Sequence, residues 1–324
     1  MKEKILITGI TGQDGLFLTR EYLKQSEKYQ IFGTSRNLTS EFSNKLKYLV
    51  PNLEEEINIL RVNLLDYQTV FNLINDIRPT KLINLSGPSS VYQSYNNPKV
   101  TIESINKIFD NLTEAFFKTI KNGVYFQALS SEMFLPNENK RLNENSKISP
   151  RSPYAIGKAQ IYEKSIQLRN KNKVSIANGI LFNHESEFRD NEYLFMKVIN
   201  KAIEISKSRK GNLTVGSLNL VRDWTYAGDI ASAIFKIVEE SNSEDYVVGS
   251  GNGHSIEELV QQVFDYFNLD LKTHVNVDKT LLRKGDPSKT ISNPEKIYKD
   301  LQWKATTSFN NLVSKCIKYK IRNI

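Results

Sequence analysis

The sequence predicts an α/β fold, a doubly wound parallel sheet with a smaller C-terminal substrate-binding lobe. Three observations predict it. A short apolar run at the start leads through a glycine turn into an amphipathic helix. Further strand-like runs follow up to residue 180, most of them separated by helical patterns. Beyond residue 183 the alternation loosens, and too few strands remain for a second nucleotide fold.

Each element has its own signal. Ile5-Leu6-Ile7 is the first strand, 9–15 the turn, and 16–24 a helix with Leu16, Thr19 and Leu23 on one stripe. Ile31-Phe32-Gly33 is the second strand and 57–62 the third. The helix over 67–77 stops before Pro79, as helices do ahead of proline. Residues 81–85 read as a fourth strand, 99–121 as a long helix, 124–129 as a fifth strand, 153–170 as a helix and 174–180 as a sixth strand. In the second half, 192–208, 229–240 and 255–267 read as helices and 213–215 as a strand. Gly285, Pro287 and Pro294 mark 284–294 as a surface loop.

A chain of 324 residues suits two joined domains, or one large α/β unit with an added lobe. Hydrophobic residues at 39%, charged ones at 25% and a mean hydropathy of −0.44 describe a globular chain rather than a disordered one. No apolar run approaches the ~18 residues of a membrane helix. Residues 1–9 pass from charge straight into a strand pattern, so no signal peptide is expected. The single cysteine, Cys316, excludes an intrachain disulfide and a multi-thiolate metal site, and it points to the cytoplasm. The net charge is +8, but the lysines are scattered, which argues against nucleic acid as a partner.

Gly9, Thr11, Gly12, Gln13, Asp14 and Gly15 lie in a G-x-x-G-x-x-G turn between strand and helix. Gly9 provides the tight turn, Gly12 bares the backbone N–H groups to a pyrophosphate, and Gly15 lets the helix pack close to the sheet. An ordinary glycine-rich turn is the alternative. About twenty residues on, the second strand ends at Arg36, with no acid beside it to grip a ribose 2′-hydroxyl. A guanidinium there suits a 2′-phosphate, so NADP is favoured and NAD is the alternative. Asn63 and Leu64 follow the third strand, where an adenine contact is expected.

Tyr154 and Lys158 form Y-x-x-x-K near a helix start, on one face. The ammonium favours the phenolate, which makes Tyr154 a general base near neutral pH. Ser130 stands at the end of the fifth strand, able to bond the reacting hydroxyl. Glu132 beside it is placed to remove a proton α to a new ketone. Capping for Ser130, salt bridging for Glu132 and solvation for Lys158 are the alternatives. His184 has no metal-ligand spacing to His254 or His274, so a structural histidine is expected.

Residues 7–15, 127–132, 149–154 and 178–186, with Arg222-Asp223-Trp224 and Asp229, resemble the GDP-mannose 4,6-dehydratases of the extended short-chain dehydrogenase/reductase class. The likeness runs through almost the whole chain. It implies a Rossmann-like domain over 1–182 to which 222–240 return, and a sugar-nucleotide lobe over 183–221 and 241–324. It also implies that Tyr154 takes the C4 hydroxyl proton and Glu132 the C5 proton, with water leaving from C6. Asn183, Lys197, Arg222 and Arg283 match positions that hold the nucleotide diphosphate and its surroundings. The implied partner is a GDP-sugar, and the implied assembly a homodimer or homotetramer, with no nucleic acid and no membrane.

Departures from the family pattern bear on the sugar more than on the nucleotide. Ser130 replaces threonine, Asn37 a second arginine and Asn63 an aspartate. Lys197-Val198 replaces Arg-Lys, Ser86-Gly87-Pro88 replaces Gly-Ala-Gln, and Lys284 stands in place of proline. A modified mannose such as a GDP-manno-heptose therefore stands beside GDP-mannose. A C4 dehydrogenase, reductase or epimerase of a GDP-sugar, and a non-catalytic NAD(P)-binding scaffold, are the other readings.

Overall fold

Alternating buried strands and amphipathic helices leave the chain one economical arrangement, a sheet covered on both faces. The computed structural model describes residues 1–323 apart from 37–39, 53–56, 138, 241–242 and 283–285. Asn37, Lys284 and the expected phosphate-side Arg283 lie outside the described residues.

The first half runs β1 (Glu3–Thr8), α1 (Gln13–Leu23), β2 (Tyr29–Ser35), α2 (Ser40–Leu49), β3 (Asn58–Arg61), α3 (Tyr67–Ile77) and β4 (Lys81–Asn84). It continues with α4 (Val91–Ser94), α5 (Pro98–Thr119), β5 (Val124–Ser130), α6 (Pro153–Asn172) and β6 (Ser175–Leu181). The second half opens with β7 (His184–Glu185), α7 (Leu194–Ser208), β8 (Leu213–Val215), β9 (Val221–Arg222), β10 (Thr225–Tyr226), α8 (Ala227–Glu240) and β11 (Asp245–Val248). It ends with β12 (His254–Ser255), α9 (Ile256–Tyr266), α10 (Leu271–His274), β13 (Val275–Val277), β14 (Lys289–Thr290), α11 (Glu295–Leu301) and α12 (Phe309–Arg322).

Seven strands form one parallel sheet in the order β11-β6-β5-β4-β1-β2-β3. The order reverses between β1 and β4, which opens a crevice at their carboxyl ends, where doubly wound folds take ligands. One apolar cluster covers the face carrying α1 and α8 and runs on into the lobe through Phe195, Trp224 and Phe264. The other fills the face under α3, α5 and α6. No described helix is long and apolar enough to cross a membrane.

Several features differ from the sequence expectation. Helices α2, α4, α10, α11 and α12 and the short strands β7, β9, β10, β12 and β13 have no counterpart in it. Residues 245–248, expected in the lobe, pair with Asn178 to Leu181 as the seventh strand of the sheet. The proposed loop over 284–294 contains β14, which pairs with β9.

Candidate active site

The glycine turn starts the crevice. Gly9 has φ +73°, a conformation costly for a side chain. A Cβ on Gly15 would lie 2.5 Å from the Ile10 carbonyl oxygen, so only glycine lets α1 sit this close to the turn. Gly12 is the N-cap of α1 and supplies no side-chain cap, which leaves first-turn N–H groups facing the crevice. Thr11 Oγ1 meets Ser35 Oγ at 2.9 Å, tying the turn to the end of β2, where Arg36 is exposed. The bare turn, the uncapped helix start and an exposed cation at the next strand end fit a dinucleotide phosphate. Asn63 spends its side-chain oxygen on the Leu65 N–H (3.1 Å), and the carbonyl of buried Leu64 accepts from Asn111 Nδ2 (2.9 Å).

The proposed catalytic groups converge at the next two elements. Ser130 ends β5, and its hydroxyl accepts from the Glu132 N–H (3.3 Å) while favouring the ionised form of the Tyr154 phenol. It therefore caps the short turn over Ser131–Met133 as well as facing the tyrosine. Ser152 caps α6 by accepting from the Ala155 N–H at 3.1 Å, which fixes Tyr154 and Lys158 on the buried side of that helix. Lys158 is 7% exposed, so it is not a solvated helix lysine, and its Nζ lies 5.8 Å from the centroid of the Tyr154 ring. Burial lowers Lys158 to about 8, against the pull of the Asp14 carboxylate. Burial also drives the Tyr154 phenol well above its usual value, with Glu132 and Tyr193 adding to the rise and Ser130 and Arg189 opposing it, which is the opposite direction to the one expected from Lys158 beside it.

The 182–193 segment locks onto the glycine turn. Ser186 Oγ donates to Gln13 Oε1 at 2.7 Å, and Gln13 Nε2 donates to the His184 carbonyl at 3.3 Å. His184 Nδ1 faces the Phe182 carbonyl (2.7 Å) and Nε2 faces Asp14 Oδ2 (3.1 Å), so both ring nitrogens have acceptors. Burial opposes charge on this pair, yet Asp14 lifts His184 above its usual pKa while His184 holds Asp14 below its own. His184 is thus a partnered structural residue, and no metal-ligand cluster exists among the described residues. Arg189 Nε lies 3.2 Å from Glu185 Oε2, and its guanidinium stacks 3.4 Å over the Tyr193 ring. Sequence reasoning missed Arg189 and Tyr193; their only signal was nearness to the 178–186 motif.

The expected substrate-side residues are more spread. Asn183 offers its carbonyl to the Thr225 N–H at 2.9 Å, and Lys197 is exposed on α7. Arg222 is 8% exposed and pairs through Nη2 with Asp286 Oδ1 at 2.8 Å. Its neighbour Asp223 accepts from the N–H groups of Ser250, Gly251 and Ser292, fastening two other segments beside Arg222.

Comparison with known proteins places the chain in a family. The family model described as GDP-mannose 4,6 dehydratase matches residues 6–316. GDP-mannose 4,6 dehydratase 2 of Arabidopsis thaliana is 32% identical over 315 residues, covering 95% of this chain and 84% of its own. GDP-mannose 4,6 dehydratase of Dictyostelium discoideum is 28% identical, covering 98% and 96%. Among solved structures, UDP-glucuronic acid 4-epimerase from Bacillus cereus, in complex with UDP-glucuronic acid and NAD, superposes with a TM-score of 0.87 at 19% identity, covering 99% and 100%. DesIV, a dTDP-glucose 4,6-dehydratase from Streptomyces venezuelae with NAD and TYD bound, gives 0.85 at 17%, covering 99% and 97%. At such identities these two speak for the Rossmann-like fold, whereas the match across 6–316 speaks for descent: the chain belongs to the GDP-mannose 4,6-dehydratase family, within the extended short-chain dehydrogenase/reductase class.

Proposed function

We propose that this protein is a GDP-sugar 4,6-dehydratase, converting GDP-mannose or a GDP-manno-heptose to the GDP-4-keto-6-deoxy sugar. The observation that carries the reading is the grouping of Ser130, Glu132, Tyr154 and Lys158 at the carboxyl end of β5, beside the glycine turn. Tyr154 Oη takes the C4 hydroxyl proton, Ser130 Oγ orients that hydroxyl, and the Lys158 ammonium offsets the phenolate charge. A bound nicotinamide supplies the hydride acceptor for C4 and the hydride for C6. Glu132 removes the proton at C5, acidified by the neighbouring ketone, and water leaves from C6. The glycine turn, Tyr154 and Lys158 hold the cofactor. Arg36 favours NADP, with NAD as the alternative, and Asn63 and Leu64 lie on the adenine side. Asn183, Lys197, Arg222 and Arg283 belong to the sugar-nucleotide lobe, and the working unit is a cytoplasmic homodimer or homotetramer.

Mass spectrometry of products from a panel of GDP-sugars tests the reaction. The expected product has lost one water. Tyr154→Phe should abolish turnover, and Glu132→Gln should block exchange of solvent deuterium into C5 while C4 oxidation persists. A 4-keto product with its C6 hydroxyl intact would instead assign the chain to simple C4 oxidation. Arg36→Asp should move cofactor preference toward NAD, and unchanged relative affinities would remove Arg36 from the pocket.

A further inference from the structure

A line of buried amides joins the ends of β4 and β5 to Lys158. The Ser86 backbone N–H donates to Asn84 Oδ1 at 3.1 Å, and the hydroxyls of Ser86 and Thr8 donate to the same oxygen at 2.6 and 2.8 Å. A backbone N–H can only donate, so it fixes the Asn84 amide with its oxygen toward Ser86. Asn84 Nδ2 then donates to Gln127 Oε1 at 2.9 Å, and the Tyr125 hydroxyl donates to that oxygen at 3.2 Å. Gln127 Nε2 is left for the Ala128 carbonyl, at 2.8 Å. Lys158 Nζ donates to the same carbonyl, also at 2.8 Å. Both ends of the line are main-chain groups, so its direction is determined throughout. Asn84 and Gln127 are 2% and 1% exposed. The pairing of β4 with β5 ends at Asn84 and Gln127, whereas that of β5 with β6 runs on to Ser130 and Leu181. The backbone of β5 therefore outlasts its neighbour on one side, just where Lys158 needs an acceptor.

We propose that Gln127, oriented by Asn84, is a positioning residue that acts on the Lys158 ammonium through the carbonyl the two share. A carbonyl oxygen has a lone pair for each of two donors, but both draw on the polarisation of one C=O and their hydrogens repel each other, so each is held less firmly than it would be alone. The ammonium is buried yet loosely tethered, and it can turn toward the groups it serves. The charged and titratable groups around it are Asp14 from the glycine turn and Tyr154 on its own helix. Glu132 from the end of β5, with Arg189 and Tyr193 from the segment leading into α7, bears on that tyrosine. Gln127 adds a neutral donor to this set. The inference rests on the catalytic role proposed above for Lys158, but its test does not need the sugar substrate.

Gln127→Met keeps the side-chain volume and removes the donor. Lys158 then has the carbonyl to itself, and its titration should move up by roughly half a pH unit, the size of one weak hydrogen bond. Trace acetylation of Lys158, read by peptide mass spectrometry as a function of pH, measures this in the enzyme without any sugar nucleotide. The alkaline limb of kcat/KM should move the same way. Asn84→Asp is the second variant: it keeps the acceptor for Ser86 and sets an oxygen against Gln127 Oε1, so the Gln127 amide turns over and its donor leaves the Ala128 carbonyl. Its upward shift should shrink in the Gln127→Met background to the part that the added charge alone supplies. An unmoved or downward Lys158 titration in either folded single variant overturns the proposal. So does an Asn84→Asp shift of equal size in both backgrounds. A lower melting temperature with the Lys158 profile unmoved would assign these amides to structure alone.

Discussion

Glu187 shows what one residue contributes to the balance of this fold. It is 4% exposed, its Oε1 accepts from the Tyr226 hydroxyl at 3.3 Å, and its Oε2 has no partner among the described residues. Burial raises its pKa above the ordinary carboxylate value, although Lys315 and Tyr226 oppose the rise. Because the folded value exceeds the unfolded one, stability from this group is fully present below the unfolded pKa and is lost as pH rises through the folded one. Glu187→Gln removes the buried charge and should therefore stabilise the protein at neutral pH by about 1 kcal/mol, a typical single-residue effect. The gain should fade in acid, where both residues are neutral, and urea melts at two pH values check it. At this scale the sequence was legible where spacing carries chemistry. Tyr154 and Lys158, four apart, and Ser130 with Glu132, two apart at a strand end, meet as expected. Asn84 and Gln127 were not legible, because a polar residue inside a buried strand gives no periodic sign of its partner. The partner of Arg222, Asp286, lies 64 residues further along the chain and could not be read either.

Among elements, α6 does most to place the proposed chemistry, and its first turn depends on Ser152. The hydroxyl satisfies one of the N–H groups that a helix start leaves free. Ser152→Ala should cost about 1 kcal/mol of stability. It should also weaken cofactor binding, since Tyr154 lies in that first turn; a denaturant melt and a fluorescence titration with reduced cofactor measure the two effects. Most of the first-half strands and helices stand within a few residues of their expected places, because apolar alternation and glycine or proline boundaries are strong local signals. Helix α2 was missed because only Phe42 and Leu46 are buried among its described side chains, too few to show a stripe. Strand β11 was missed because Asp245-Tyr246-Val247-Val248 is short and follows its sheet neighbour β6 only after a long excursion. Its place is set by tertiary partners. Asp245 accepts from Tyr162, Arg169 and Asn178 at 2.7–3.1 Å, and the Val247 N–H donates to Glu144 at 2.7 Å.

In the whole molecule, the sheet and the lobe are stitched together by chain that leaves and returns. The apolar cluster under α1 continues without a break to Phe309, Leu312 and Cys316 of α12, so the two halves share one core. A chain ended after residue 240 should not fold to a smaller working unit: it lacks β11, so the ladder edge of β6 is left open and Arg169 loses the Asp245 carboxylate. The soluble fraction of that shortened chain, set beside that of the full chain, checks this. The same crossing governs the protein's birth. Six strands of the sheet leave the ribosome in order, but the seventh emerges only after the segment from β7 to α8 has been made. At roughly 5–20 residues per second that wait lasts on the order of seconds, during which a nascent, nearly finished nucleotide fold carries a raw edge into the crowded cell. Glu144, already synthesised by then, waits for the strand it will cap, and the interval is where a chaperone or a neighbouring nascent chain would have its opportunity.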